Sequence, residues 1–308
     1  MSESPFTESW LTGPQATQFF TRAYSPSSPA KAAVVFVHGF AEHIARYEHV
    51  FPTWSSRGIA VFAYDQRGFG RTAQDEQHKS KNSAYGKTSW TAQLEDLEWA
   101  VQHTKQQFPD VPVFLYGHSM GGALVLAFPT RTQGPPSKEG LASISGIVST
   151  SPLILQTKPA SKTTRWIGGK ASSLAPSLLI PAPLDPKELC HDDAVGEAYL
   201  KDPLIKLYGS LRGLRDMLDG GEKLLAKDYA QWPRQLPVLL VHGTEDKMTS
   251  SKATEKFYGL LSADDKTFSP YVGGFHELHN EPDGVKEKLT EECIAWVEAH
   301  LSSGRSKL

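Results

Sequence analysis

Short, uninterrupted apolar runs recur along this chain, with room for a helix between most successive pairs. Ala32–Val37, Ile59–Tyr64, Val111–Tyr116, Ser145–Thr150 and Pro237–Val241 are each strand-sized, and Thr267–Val272 reads as one more. A run that does not alternate with polar residues has no solvent face, so these strands are expected to be buried on both sides of a sheet. Helical spacing fills several of the gaps. Tyr47, Val50, Phe51 and Trp54 share one face, as do Leu94, Leu97, Val101 and Phe108 after a cap at Thr88 or Ser89. Ser119–Thr130 reads as a third helix, and a final one carries Val285, Leu289, Cys293, Trp296 and Val297, which makes Cys293 a core residue. Strands alternating with helices predict an α/β fold, a mostly parallel sheet with helices on both faces. Ahead of it, Phe6–Leu11 and Ala16–Tyr24 alternate in strand fashion around Thr12-Gly13-Pro14, as a hairpin or meander does.

Residues 155–232 break the rhythm: they are rich in Pro, Ser, Leu and Gly and then turn helical. They are too long for an ordinary loop and read as a cap inserted into one domain. The expected organisation is a core of 1–154 and 233–303, a cap of 155–232 and a flexible tail of 304–308.

Composition narrows the function. Lys plus Arg is 32 and Asp plus Glu is 34, a formal net charge of −2, so there is no electrostatic footprint for nucleic acid. Two cysteines exclude a disulfide framework and a Cys-based zinc finger. Neither Asn82 nor Asn280 opens a glycosylation sequon, and residues 1–14 lack a basic-then-apolar leader. No apolar run approaches the roughly 18–20 residues of a spanning helix. A soluble intracellular protein is expected.

Gly117-His118-Ser119-Met120-Gly121 decides the chemistry. The bare Gly-x-Ser-x-Gly pattern is common, but here it falls between an expected strand and an expected helix. So sharp a turn strains the central backbone, requires small flanking residues and lifts the hydroxyl clear of the sheet. The helix amino end then faces the place where negative charge develops. Serine is a weak nucleophile at neutral pH and needs a base with an orienting acid, which in this arrangement follow in the order acid, then histidine. Asp246, just past Pro237–Val241, is the expected acid, with Glu245 directed elsewhere and Asp264 and Asp265 solvated. His276, after the last strand, is the expected base, with His279 its rival. The oxyanion hole is expected from the N–H groups of Met120 and Phe40, with His38 bracing the loop.

Taken with His38-Gly39-Phe40-Ala41-Glu42-His43 through Arg46-Tyr47, Asp65-Gln66-Arg67-Gly68-Phe69-Gly70-Arg71, His242-Gly243-Thr244-Glu245-Asp246 and His276-Glu277-Leu278-His279, the motif resembles the alpha/beta-hydrolases of the serine-aminopeptidase-like group. Among them it resembles the monoacylglycerol lipases. The resemblance spans roughly residues 30–300 and implies an eight-stranded sheet, a helical cap and hydrolysis of a fatty-acyl ester of glycerol. It also implies a glycerol pocket at positions matching Glu42, Arg46 and His279. An i, i+4 ion pair of Glu42 and Arg46 is an equally good account of those two residues. Gln66 and Phe69 stand where that family more often has histidines, in a turn that reads as structural.

The apolar stretch Ser173–Leu184 is either an acyl tunnel or lipid-contacting lid, or a segment packed on the core. Cys190-His191-Asp192-Asp193 reads as a solvated loop. His276-Glu277-Leu278-His279 is one residue short of zinc-protease spacing, so no metal and no cofactor are expected. The terminal Ser306-Lys307-Leu308 matches the peroxisomal import signal, which implies an import receptor as partner if the source is eukaryotic. Otherwise the expectation is a cytoplasmic enzyme associated with lipid droplets. The expected activity is a serine esterase acting on monoacylglycerol. The alternatives are a peroxisomal acyl-CoA thioesterase, or another carboxylesterase or lysophospholipase. A non-enzymatic scaffold predicts a broken triad. Replacing Ser119 with Ala should lower ester turnover by about 10⁶-fold and abolish fluorophosphonate labelling without unfolding the chain. Near-wild-type hydrolysis in that variant sinks the assignment.

Overall fold

Eight strands pair in the order β1-β2-β4-β3-β5-β6-β9-β10 in the computed structural model, which describes residues 4–159 and 161–301 and omits the side chains of 162–165 and 167. They are β1 (Thr7–Thr12), β2 (Gln18–Tyr24), β3 (Ala32–Val37), β4 (Ile59–Tyr64), β5 (Val113–His118) and β6 (Ile144–Thr150), and, after a two-stranded excursion of β7 (Leu179–Pro181) and β8 (Tyr208–Ser210), β9 (Val238–Gly243) and β10 (Lys266–Tyr271). β1 and β2 form the expected antiparallel hairpin, and β2 joins β4 antiparallel; every other pairing in this sheet is parallel. The tripeptide Ser306, Lys307 and Leu308, expected to act as an import signal, lies outside the described residues.

The unbroken apolar runs have the predicted cause. Successive residues of β3 face opposite sides, and both sides are covered. Ala33, Val35 and Val37 join the layer of Leu94, Leu97, Val101 and Leu124. Ala32, Val34 and Phe36 join that of Phe51, Trp54, Cys293 and Val297. All six β3 residues are fully buried, and so is Cys293. Burying a large side chain of this kind contributes roughly 1.5–3 kcal/mol, so the central strands are the rigid part of the molecule.

Local boundaries differ from the sequence reading where pairing overrides propensity. β5 starts two residues later than Val111 and runs on through Gly117 and His118, because register with β3 matches Ala33 to Val113 and Val37 to Gly117. The Ser119–Thr130 helix is a true α-helix over Met120–Ala127 and tightens to a 3₁₀ turn over Phe128–Thr130, where Pro129 offers no N–H. Ser89 is the cap of Trp90–Gln107, accepting from the Ala92 N–H. The face led by Tyr47 is divided between a 3₁₀ turn, Ile44–Tyr47, and the helix Phe51–Ser56.

The chain between β6 and β9 carries helices Lys162–Leu174, Asp193–Lys201 and Leu211–Ala226, with β7 and β8 paired antiparallel. It is stitched to the core around its middle. His43 Nε2 meets Asp202 Oδ2 at 2.8 Å, Gln74 Nε2 donates to Leu204 O at 2.7 Å, and the Lys206 N–H donates to the Tyr85 hydroxyl at 2.9 Å. Helix Leu211–Ala226 lies so close to the core backbone that a Cβ at Gly221 meets Leu153 O at 2.1 Å. Cys190-His191-Asp192-Asp193 is solvent-exposed at His191, Asp192 and Asp193, as expected, and is tied to the core at its ends. Cys190 is buried, His191 pairs with the buried Glu281 at 2.9 Å, and Asp192 caps the helix Asp193–Lys201.

Candidate active site

Ser119 sits on the turn between β5 and the helix Met120–Ala127, at the middle of the sheet. Its φ of 56° and ψ of −117° lie where an L-residue is strained, a cost of about 1–3 kcal/mol. The neighbours hold it there. The Ser119 N–H donates to Thr150 O at 3.0 Å, and Ser119 O accepts from Leu153 N at 2.9 Å. Gly117 and Gly121 are required by close approach. A Cβ at Gly121 meets Val37 O at 2.1 Å, and one at Gly117 meets Gly121 O at 2.3 Å.

The three expected catalytic side chains converge. The Ser119 hydroxyl donates to His276 Nε2 at 3.0 Å, and the His276 Nδ1–H donates to Asp246 Oδ2 at 2.7 Å. Glu245 is exposed and stays outside this set. Burial pushes the Asp246 carboxyl up, but the adjacent His276 charge and the hydrogen bonds from His242 and His276 outweigh it and hold the carboxyl well below the ordinary range. Burial lowers His276, yet the Asp246 charge and hydrogen bond leave it above its ordinary value. That is the electrostatic setting of a general base oriented by a permanent anion.

The Gly39–Phe40 loop presses on the nucleophile, since a Cβ at Gly39 lies 3.1 Å from Ser119 Cβ. Among the described residues the Phe40 and Met120 N–H groups have no protein acceptor, which leaves both for a substrate oxygen. His38 braces this loop as expected: its Nδ1–H donates to Gly39 O at 2.8 Å, and its Nε2 accepts the Gln66 N–H at 2.8 Å. Burial lowers the His38 imidazole to about 3, so it stays neutral.

Glu42 and Arg46 form the i, i+4 pair at 2.8 Å, and a third residue completes it. Arg46 makes a bidentate pair with Glu277 at 2.6 and 2.7 Å. Burial raises Glu277, but Arg46 overcomes this and holds it low. The other Glu42 oxygen accepts the Tyr47 hydroxyl at 2.9 Å and the Gly39 N–H, so the pair also fixes the Gly39–Phe40 loop. Glu42, Arg46 and Glu277 line the cavity above Ser119; His279 is not among its lining residues. The His279 ring is buried behind them, stacked 4.6 Å from Tyr47, and burial lowers it to about 3. Glu277, which the sequence reading gave no role, stands with Arg46 in the pocket where His279 was expected. No cluster of His, Cys, Asp or Glu able to hold a metal ion occurs among the described residues.

The cavity measures about 550 Å³. Its apolar walls are Leu153 from the core and Ile180, Leu184, Leu211, Leu214 and Met217 from the inserted segment. The family described as "Serine aminopeptidase, S33" matches residues 28–283. The chain belongs to this alpha/beta-hydrolase family. Monoacylglycerol lipase of Mycolicibacterium smegmatis is 27% identical over 304 residues, covering 98% of this chain and 100% of that protein. Monoglyceride lipase of Homo sapiens is 27% identical, covering 93% of this chain and 89% of that protein. The crystal structure of a soluble variant of monoglyceride lipase from Saccharomyces cerevisiae, in complex with a substrate analogue, superposes with a TM-score of 0.83 at 25% identity, covering 98% of this chain and 96% of that one.

The electrostatics of the pair set the pH response. Only neutral His276 accepts the Ser119 proton, so kcat/KM should fall as pH drops through the raised imidazole pKa, with a midpoint above 6.5. Asp246→Asn should lower kcat by about 10⁴-fold by favouring the wrong tautomer. A pH–rate profile on a p-nitrophenyl ester checks both, and a wild-type midpoint below 6.5 contradicts this account.

Proposed function

We propose that this protein is a serine carboxylic-ester hydrolase that cleaves monoacylglycerol into glycerol and a fatty acid. The observation that carries the substrate is the division of the cavity. Its apolar side comes mostly from the inserted segment, and its polar lining includes the core's buried Glu42–Arg46–Glu277 set. Within that set two carboxylates face one guanidinium, and the hydroxyls of a neutral polyol can donate to their oxygens. The Mycolicibacterium, human and yeast relatives carry the same lipase name.

In this reading Ser119 Oγ attacks the ester carbonyl as His276 takes its proton. The Phe40 and Met120 N–H groups receive the developing oxyanion. The imidazolium then protonates the departing glycerol oxygen. Water, deprotonated by His276, cleaves the acyl-enzyme and frees the fatty acid and Ser119. Asp246 stays an anion throughout and stabilises the imidazolium.

The inserted segment also supports contact with a lipid surface. Among the described residues it carries six of the seven large exposed apolar side chains, including Trp166 at 65% and Leu174 at 89% exposure. Exposed apolar groups concentrated on one element are the usual mark of an interface. A peroxisomal address, read by an import receptor, is the further proposal supported by Ser306-Lys307-Leu308. In a eukaryotic cell, removing that tripeptide from an amino-terminally tagged protein should shift it from peroxisomes to the cytosol; unchanged distribution contradicts this proposal.

Purified protein assayed on monoacyl-, diacyl- and triacylglycerols, acyl-CoA and p-nitrophenyl esters should turn over monoacylglycerol with the highest kcat/KM among natural substrates. Preference for acyl-CoA over every glyceride overturns the reading. Changing Trp166 and Leu174 together to Ser should reduce activity on vesicle-borne monoacylglycerol and spare that on the soluble ester.

A further inference from the structure

A second imidazole shares the catalytic carboxylate. His242 lies on β9, four residues before Asp246, and is fully buried. Its Nε2 is 3.1 Å from Asp246 Oδ2 and 3.1 Å from Thr249 O. Both are acceptors only, so Nε2 carries a hydrogen. Its Nδ1 faces the Thr254 hydroxyl at 2.9 Å, on the helix Ser251–Leu260. The ring is therefore held from both ends. The same Oδ2 takes the His276 Nδ1–H at 2.7 Å and the Thr249 hydroxyl at 2.7 Å, while Oδ1 takes the N–H groups of Met248 at 2.7 Å and Thr249 at 2.9 Å.

We propose that His242 is a positioning residue of the reaction: its Nε2–H pins Asp246 Oδ2 in line with His276 Nδ1 and tempers the basicity of that oxygen. Each donor removed from a buried carboxylate makes it a stronger proton partner for the imidazole beside it. A carboxylate that grips the imidazolium more tightly raises the pH needed to free His276 as a base. The groups facing His276 come from four places. Asp246 and His242 lie at the β9 turn, His118 on β5 with its ring centre 4.8 Å away, Glu277 and His279 on the loop of His276 itself, and Glu42 on the β3 loop. Among these titratable groups Asp246 is the one in contact with His242, and the uncharged Thr249 hydroxyl bridges the two rings at 3.3 Å from each, so a change at His242 reaches His276 through that carboxylate and its Thr249 partner.

The inference rests on the Ser119–His276–Asp246 assignment, and the experiment separates the two. The rate of Ser119 labelling by a fluorophosphonate is followed against pH in wild type, His242→Leu, His242→Gln and Thr254→Val. No labelling of wild type refutes the triad itself. With wild type labelled, His242→Leu should react about 10–100-fold more slowly at the optimum, the factor carried by one hydrogen bond to a charged group. Its acid limb should move to higher pH. His242→Gln, which keeps an N–H donor near Nε2, should recover most of both changes. Thr254→Val, which frees Nδ1 while keeping the volume, should shift the limb in the same direction by less, and it decides the question if His242→Leu does not fold. Acid limbs superimposed on wild type in each folded variant, or no recovery in the Gln variant, overturn the proposal.

Discussion

The close approach of β3, β5 and the helix Met120–Ala127 is the constraint from which the site follows. Gly121 lies against the Val37 carbonyl with no room for a side chain, and Gly117 against Gly121. That contact forces the turn at Ser119 into its strained conformation and points the hydroxyl out of the sheet. It also brings the Gly39–Phe40 loop, which continues from β3, onto the nucleophile. The outward-pointing Ser119 hydroxyl and the nearby Phe40 and Met120 N–H groups are thus two consequences of one packing event, and the fully buried flanks of β3 and β5 supply the rigidity that maintains it.

The second organising centre is electrostatic. Asp246 is buried, yet it remains an anion because donors surround it. A bare carboxylate there would protonate and lose its hold on His276. Glu277 is kept charged in a similar way by Arg46, one residue from the base. Buried ion pairs of this type are poor evidence of stability, but removing one partner costs roughly 3–5 kcal/mol because the other is left unpaired. Their value lies in fixing loops. Glu42 holds the Gly39 N–H, so the pair that borders the cavity also anchors the loop bearing the Phe40 N–H.

The sheet, the elbow and the meeting of Ser119, His276 and Asp246 were legible because each leaves a local mark: continuous apolar runs, glycines at both sides of Ser119, and an acid and a histidine after late strands. What was not legible depends on partners far apart in the chain. Glu277 meets Arg46 across 231 residues, and nothing near Glu277 announces an arginine. The rotation that buries the His279 ring against Tyr47, leaving the cavity to its neighbour, depends on a 3₁₀ turn at Leu278–Asn280 that periodicity does not mark. His242 was visible within its motif, but its role depends on Thr254, one helix later. The Cys190–Asp193 segment is solvated at its three polar residues as its composition suggested, but nothing near it announced that His191 meets Glu281, 90 residues on.

The division of labour between core and inserted segment has a consequence for specificity. The core supplies the reacting groups and the polar Glu42–Arg46–Glu277 set, all held by buried hydrogen bonds. The inserted segment supplies most of the apolar wall through aliphatic side chains such as Ile180, Leu184, Leu211 and Leu214. Apolar walls discriminate weakly, since one methylene is worth only about 1–3 kcal/mol. Buried polar groups discriminate strongly, because a mismatched head leaves them unpaired. On the proposed function, selection for the alcohol part of the ester therefore lies in the rigid core, and tolerance for the acyl part in the segment laid over it. On the same reading, substitutions in the segment retune chain length without disturbing the chemistry, whereas a change at Glu42 or Arg46 disturbs the polar lining of the cavity and the Gly39–Phe40 loop together.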